Sequence, residues 1–282
     1  MTTYQYAIST HLYHDQRLTR DHLQEIAARG FPAIELFATR THFDYHSAAA
    51  IDTLAGWLEE TGLILHSVHA PISESLVGTQ WGPMLTNATT DEASRERAVA
   101  ESRAALAIAK RIPYRFLVTH LGIPDVLNPL ANNNQRQPAQ RSIVELHGVA
   151  ETVGVALALE VIPNRLSSAE ALVDFIENEL DLPDIGICLD VGHAFLMGDL
   201  VDAIETAAGY LITTHVHDNH GKTDEHLVPF EGAIDWAAAL MAAQKIGYDG
   251  ALMLEVANRA TPTHVLTATD RARRRFEEIL GQ

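Results

Sequence analysis

Eight times along this chain a short apolar run is followed by an amphipathic segment. The runs cover residues 4–9, 33–37, 63–69, 115–121, 155–161, 185–191, 211–217 and 251–256. Each has the length of a strand rather than of a buried helix. The amphipathic segments lie near 18–29, 47–61, 91–111, 140–153, 167–180, 201–209 and 233–246, with a last one near 267–280. Capping chemistry marks where some of these helices start: Thr89 with Glu92, and Ser167 with Glu170, each place a hydroxyl three residues before an acid. Gly30, Gly62, Gly154 and Gly247 mark ends, because glycine accepts the left-handed backbone that turns a helix toward the next strand.

Strict alternation of strand and helix predicts an α/β fold with a parallel sheet and right-handed crossovers, and eight units close a (β/α)8 barrel. The expectation is one such domain over residues 1–282, with an open doubly wound sheet as the competing arrangement. Parity along the strands favours closure. Ala156 and Ala158 share a face with Glu160, Gly186 and Cys188 with Asp190, and Thr213 with His215, all small or polar. The alternate positions Leu157, Leu159, Ile187, Leu189, Leu252 and Leu254 are bulky enough to meet a helical shell. The connections after the third, fourth and seventh strands are long, and long loops on the carboxyl-terminal rim are where barrels carry chemistry.

Composition narrows the classes. No uninterrupted apolar stretch reaches about 18 residues, and the opening MTTYQYAIST lacks a basic region followed by an apolar one. A soluble, cytoplasmic protein without a membrane partner is therefore expected. Cys188 is the only cysteine, which excludes an internal disulfide and a cysteine-rich zinc module, so a metal must be held by nitrogen and oxygen. With 37 acidic against 20 basic side chains the formal charge is -17, which repels a phosphate backbone and argues against a nucleic-acid partner. Nothing in the composition argues against a homo-oligomer.

The strand ends hold the candidate chemistry: His69, His120, Glu160, Asp190, His215 with His217, and Glu255. In a barrel they converge on one mouth. Oxygen and imidazole donors suit Zn2+, Mn2+, Co2+ or Mg2+. His193, and Asp224 with His226, lie in adjoining loops and are candidates for an additional metal position. A lone carboxylate at a strand end is as readily a salt bridge or a helix cap, so the weight rests on the set. His66 has the opposite parity to His69 and reads as structural, as do His42, His46 and His147, while His11 and His14 stay open.

Ser67-Val68-His69-Ala70-Pro71, Cys188-Leu189-Asp190-Val191-Gly192-His193, and His215-Val216-His217-Asp218-Asn219 running on to Asp224-Glu225-His226 resemble the xylose isomerase-like TIM barrel superfamily. That superfamily groups sugar isomerases and epimerases with apurinic endonucleases of the endonuclease IV type, and the resemblance spans essentially the whole chain. In the sugar branch it implies one divalent ion, Zn2+ or Mn2+ first, on Glu160, Asp190, His215 and Glu255. His215 leads because the motif has a histidine three residues before an acid, here Asp218, and His217 is the second choice. In the endonuclease branch it implies two further positions, one on His69, His120 and Glu160, the other on His193, Asp224 and His226. Two features depart from the epimerases: an arginine is missing near Gly221 and Lys222, and Leu166-Ser167-Ser168 lacks a second acid.

The leading expectation is a metal-dependent sugar isomerase or epimerase, acting on a sugar or sugar phosphate by proton abstraction beside a metal-bound carbonyl through an enediolate. Glu160 and Glu255 would be base and acid. His193, His217, Asn164, Arg165, Lys222 and Trp81, with Phe230, are the candidates to contact a small-molecule sugar. The alternatives are an apurinic endonuclease, a keto-polyol dehydratase and a non-catalytic sugar-binding barrel. Against the endonuclease, the rim supplies only Arg136, Arg141, Arg165, Lys222 and Arg259 for phosphate contact.

Overall fold

The parity of the strands is realised as the two faces of a closed sheet. The computed structural model describes residues 4–78 and 80–281. Among them eight parallel strands form a barrel: β1 (Gln5–Ser9), β2 (Ala33–Phe37), β3 (Ile64–His69), β4 (Phe116–Thr119), β5 (Ala156–Glu160), β6 (Ile185–Asp190), β7 (Leu211–Val216) and β8 (Ala251–Leu254). Each pairs with its successor, and β8 returns to β1. Inside, Ala7, Ala33 and Met253 meet in one small cluster, and Phe116, Val118, Ala158 and Cys188 in another. Leu157, Leu159, Ile187, Leu189, Leu252 and Leu254 belong instead to the large layer beneath the helices. Each such side chain contributes roughly 1.5–3 kcal/mol by leaving water.

Around the sheet run α1 (Arg20–Ala28), α2 (Ala48–Thr61), α3 (Glu92–Leu106), α4 (Arg136–Val153), α5 (Ala169–Phe175), α6 (Val191–Met197), α7 (Leu200–Thr206), α8 (Trp236–Lys245) and α9 (Pro262–Leu280). The four cap glycines behave as expected, with φ of 79°, 71°, 69° and 75° at Gly30, Gly62, Gly154 and Gly247. Several boundaries differ from expectation. The cap of α3 is Asp91 rather than Thr89, and that of α5 is Ser168 rather than Ser167, whose hydroxyl bonds the Leu121 carbonyl. In both cases the nearer polar side chain reaches the free N–H groups. Helix α4 starts at Arg136, not 140, because Pro138 sits in the first turn, where its missing N–H costs nothing. Helix α9 starts at Pro262 behind Thr261, a cap followed by a first-turn proline. The expected 201–209 helix is α7, which ends three residues earlier, and a short α6 not expected from the sequence precedes it. Among the described residues no helix is long and apolar enough to cross a membrane.

Two bulges set what faces what. Between β2 and β3 the register skips from Ile34 opposite Leu65 to Glu35 opposite Ser67. Between β6 and β7 it skips so that Cys188 faces Thr213 and Asp190 faces His215. A one-residue slip reverses every side chain of a strand, so each bulge decides which neighbour meets the acid.

His42 tests the structural reading of the outlying histidines. Its Nδ1 lies 2.6 Å from the Gln16 carbonyl, its own carbonyl accepts the Leu18 N–H, and its buried Nε2 has no partner. Burial pushes the imidazole down from 6.5 to about 4. Because the folded value is depressed, the associated stability is complete above pH 6.5 and is lost as pH falls toward 4, roughly 3 kcal/mol in all. His42→Asn, which keeps a donor for Gln16, is expected to flatten that acid limb in urea unfolding measured from pH 7 to pH 4.5. Parallel curves for the two proteins would show that His42 does not titrate with unfolding.

Candidate metal centre at the carboxyl-terminal mouth

Strands β5 to β8 bring Glu160, Asp190, His215 and Glu255 to one point. All four are buried, and one donor atom from each lies within 4.8 Å of the others. His215 Nδ1 is 3.1 Å from Glu160 Oε1, 3.4 Å from Glu255 Oε2 and 3.9 Å from Asp190 Oδ2. Asp190 also caps α6, since its Oδ1 accepts the His193 N–H at 2.7 Å. The short helix therefore starts on a candidate ligand and delivers His193 beside it.

Two more groups adjoin this tetrad. His69 Nε2 and His120 Nε2 lie 3.1 and 3.0 Å from Glu160 Oε2. His193 Nε2 and His226 Nε2 each lie 3.1 Å from Asp224 Oδ2, and His217 completes a cluster with these three. Of the two histidines closing β7, His215 belongs to the tetrad, whereas His217 turns toward Asp190 at 3.0 Å and stacks on His226. A Cβ on Gly192 would stand 2.1 Å from the His217 ring, so only glycine lets that imidazole lie there. His226 itself has φ of 46°, uncommon for a residue other than glycine, and this turn brings its Nδ1 within 2.9 Å of the Glu255 carbonyl.

The second nitrogens explain the orientation. His69 Nδ1 faces the Ala70 carbonyl at 2.8 Å, His193 Nδ1 that of Val161 at 3.1 Å, and His226 Nδ1 that of Glu255. A ring whose Nδ1–H is spent on a carbonyl presents the lone pair of Nε2, the arrangement of metal-ligating imidazoles. His215 is turned the other way. Its Nε2 lies 3.1 Å from Oε2 of Glu35, which also accepts the Ser67 hydroxyl at 2.9 Å. Glu35 was not among the expected site residues. The signal was there as a lone acid inside the apolar run Ala33-Ile34-Glu35-Leu36-Phe37.

Five carboxylates thus gather here, and among the described residues every ion pair made by Glu35, Glu160, Asp190, Asp224 and Glu255 is with a histidine. Burial alone would make the imidazoles neutral, but the acids outweigh it. Glu160 raises His69 to about 9, Asp190 and Asp224 raise His193 to about 9, and Asp224 and Glu255 raise His226 to about 10. Burial likewise opposes ionisation of Glu160 and Asp190, yet their histidine neighbours hold both below the usual carboxylate range. Glu160 Oε2, although close to two imidazole nitrogens, is aligned with neither for a hydrogen bond. That orphaned oxygen, the carbonyl-anchored rings and the thiolate-free donor set fit a divalent cation.

Residues 23–279 match one family of barrels. The chain belongs to the xylose isomerase-like TIM barrel family. Relatives of the chain include an uncharacterized protein of Methanocaldococcus jannaschii, 28% identical, the match spanning 90% of this chain and 84% of that one. A D-psicose 3-epimerase of Enterocloster bolteae is 25% identical over 84% of this chain and 76% of its own length. The crystal structure of a D-tagatose 3-epimerase-like protein superposes with a TM-score of 0.79 at 25% identity, over 98% of this chain and 97% of that chain. Sugar epimerases are thus among the relatives of this barrel.

Several expected substrate contacts are corrected. The Asn164 amide is consumed by the Leu121 and Ile123 carbonyls and the Leu166 N–H, so it staples the rim loops. Arg165 is exposed and donates to the Asn134 carbonyl. Phe230 packs outside the barrel on Trp236 and Phe276, with Arg275 over its ring. Lys222 is exposed on the loop that carries Asp224. Trp81 stands at the mouth: it stacks on His14, and His14 on His11, whose ring is 4.8 Å from His226. His46 pairs with Glu101 and His147 with the Pro183 carbonyl, both away from the mouth.

Asp190→Asn keeps an oxygen to cap α6 but loses the charge. Metal retained after dialysis against a weak chelator, read by elemental analysis, is expected to fall further than the roughly tenfold lost on removing an outer hydrogen-bond partner. Wild-type retention would show that this tetrad does not hold the ion.

Proposed function

We propose that this protein is a divalent-metal-dependent sugar isomerase or epimerase, with Glu160, Asp190, His215 and Glu255 holding the ion. The observation that carries the reading is the convergence of those four donors within 4.8 Å of one another, two of them glutamates from opposite ends of the β5–β8 arc. When bound, a cation such as Zn2+ or Mn2+ supplies Lewis-acid polarisation of a substrate carbonyl and its neighbouring hydroxyl. The chain's own groups then handle the proton. One of Glu160 and Glu255 removes it from the carbon beside the carbonyl, and the substrate retains the electron pair as an enediolate. Return of a proton from the other glutamate to the opposite face inverts that carbon; return to the adjoining carbon moves the carbonyl. His193 and His217 would orient substrate oxygens.

The mouth favours an uncharged substrate. Its wall is a series of rings, Phe37, His11, His14 and Trp81, and burial drives the His11 imidazole well below its usual value, toward the neutral form. Aromatic rings and a neutral His11 suit the apolar faces of an unphosphorylated ketose better than a phosphate. Glu160→Gln and Glu255→Gln are expected to abolish exchange of the carbon-bound proton of a ketohexose with solvent deuterium, with the circular dichroism of the wild type. Exchange persisting in both metal-loaded variants would sink the assignment, and faster turnover of a ketose phosphate than of the free ketose would overturn the neutral-substrate reading.

The cluster of His193, His217, Asp224 and His226 favours one second reading, a multi-metal phosphodiesterase on abasic DNA. The rim argues against it: Arg136 is paired with Asp174 and Glu179, and Arg141 with Glu92. Neither is free to grip a phosphate backbone. Salt-sensitive binding and cleavage of an abasic duplex by the metal-loaded protein would place this reading ahead of the first.

A further inference from the structure

We propose that Glu35, backed by Ser67, is a positioning residue: it holds the His215 imidazole with its proton on Nε2 and its Nδ1 lone pair aimed at Glu160, Asp190 and Glu255. The inference rests on reading that tetrad as a divalent-metal site. Glu35 is fully buried in β2, and burying a carboxylate is costly unless its charge is used. Here only one oxygen is used. Oε2 accepts the Ser67 hydroxyl at 2.9 Å and faces His215 Nε2 at 3.1 Å, while Oε1 has no partner. A side chain kept only as a brace would fill both acceptors or carry no charge.

The bulge in β2–β3 pairing puts Ser67, not His66, opposite this acid. On the far side of the ring, Nδ1 has three carboxylates at 3.1, 3.4 and 3.9 Å. With one ring proton drawn to Glu35, Nδ1 faces three anions, an arrangement that a second ring proton satisfies in the metal-free protein and that a divalent cation satisfies when Nδ1 offers its lone pair. His69, His193 and His226 are anchored by neutral carbonyls, whereas His215 has a carboxylate behind it. The extra negative charge makes its Nδ1 the strongest imidazole donor of the set.

The test compares wild type, Glu35→Gln and Ser67→Ala as apo proteins titrated with Zn2+ against a chromophoric chelator, and loaded with Co2+ for its visible spectrum. Glu35→Gln is expected to weaken Zn2+ binding roughly 10–100-fold and to shift the Co2+ bands. Ser67→Ala is expected to lose a smaller part of the affinity. In zinc-loaded wild type, 15N spectra are expected to show His215 protonated on Nε2. A lower apo melting temperature with unchanged Zn2+ affinity makes Glu35 a brace and overturns the proposal. Should Glu35→Gln not fold, unchanged affinity and spectrum in Ser67→Ala overturn it instead. A wild type that binds no ion removes the metal reading itself, whereas equal binding by wild type and Glu35→Gln removes only the role of Glu35.

Discussion

The mouth of this barrel concentrates negative charge where water is excluded. Glu35, Glu160, Asp190 and Glu255 are all nearly or fully buried, Asp224 stands at the edge, and among the described residues histidines make every ion pair with them. Anions at this density repel one another strongly in a medium of reduced dielectric, and such a group persists only if the fold over-determines it. The large apolar layer between sheet and helices supplies the stability that lets the site exist. The polar positions inside the closed sheet supply the site itself.

The surrounding structure serves that concentration. Asp218, next to His217, accepts the N–H groups of Asn219, Phe230 and Ile234 and the indole N–H of Trp236. The loop that carries Asp224 and His226 is thereby tied to the barrel at both ends. Asn164 and Ser167 do the same for the loops after β4 and β5 through the Leu121 carbonyl. Asn164, first read as a substrate contact, thus turns out to hold the loops in place. A rigid rim suits chemistry in which two carboxylates must face one carbon, because small displacements there are expensive in rate.

The relatives of the chain point the same way as its charge. A sugar needs no neutralising cations from the protein, and a formal charge of -17 supplies few. The arginines that might have marked a phosphate-binding rim are already paired with acids. Two clusters beside the tetrad leave this barrel with more donors than one ion uses. His217, held in place by the absence of a side chain on Gly192, is the member of that surplus that the expected ligand sets held only as the second choice to His215.

Periodicity alone determined the architecture. A period-two pattern ending in Glu160, Asp190, His215 and just short of Glu255, each after a run that is bulky on its other face, has few solutions other than strands whose ends converge. The helix ends at the four glycines were legible for the same local reason, since left-handed backbone is a property of the residue. What tertiary structure decided was register and partnership. His215 rather than Thr214 faces Asp190 because Ile212 is skipped in the pairing, and Ser67 rather than His66 faces Glu35 because His66 is skipped. A bulge is a compromise between two strands, so neither strand announces it. Glu35 shows in the sequence as a lone acid in an apolar run, but its partner does not: that is a ring 180 residues away, which only the closure of the barrel brings within 3.1 Å.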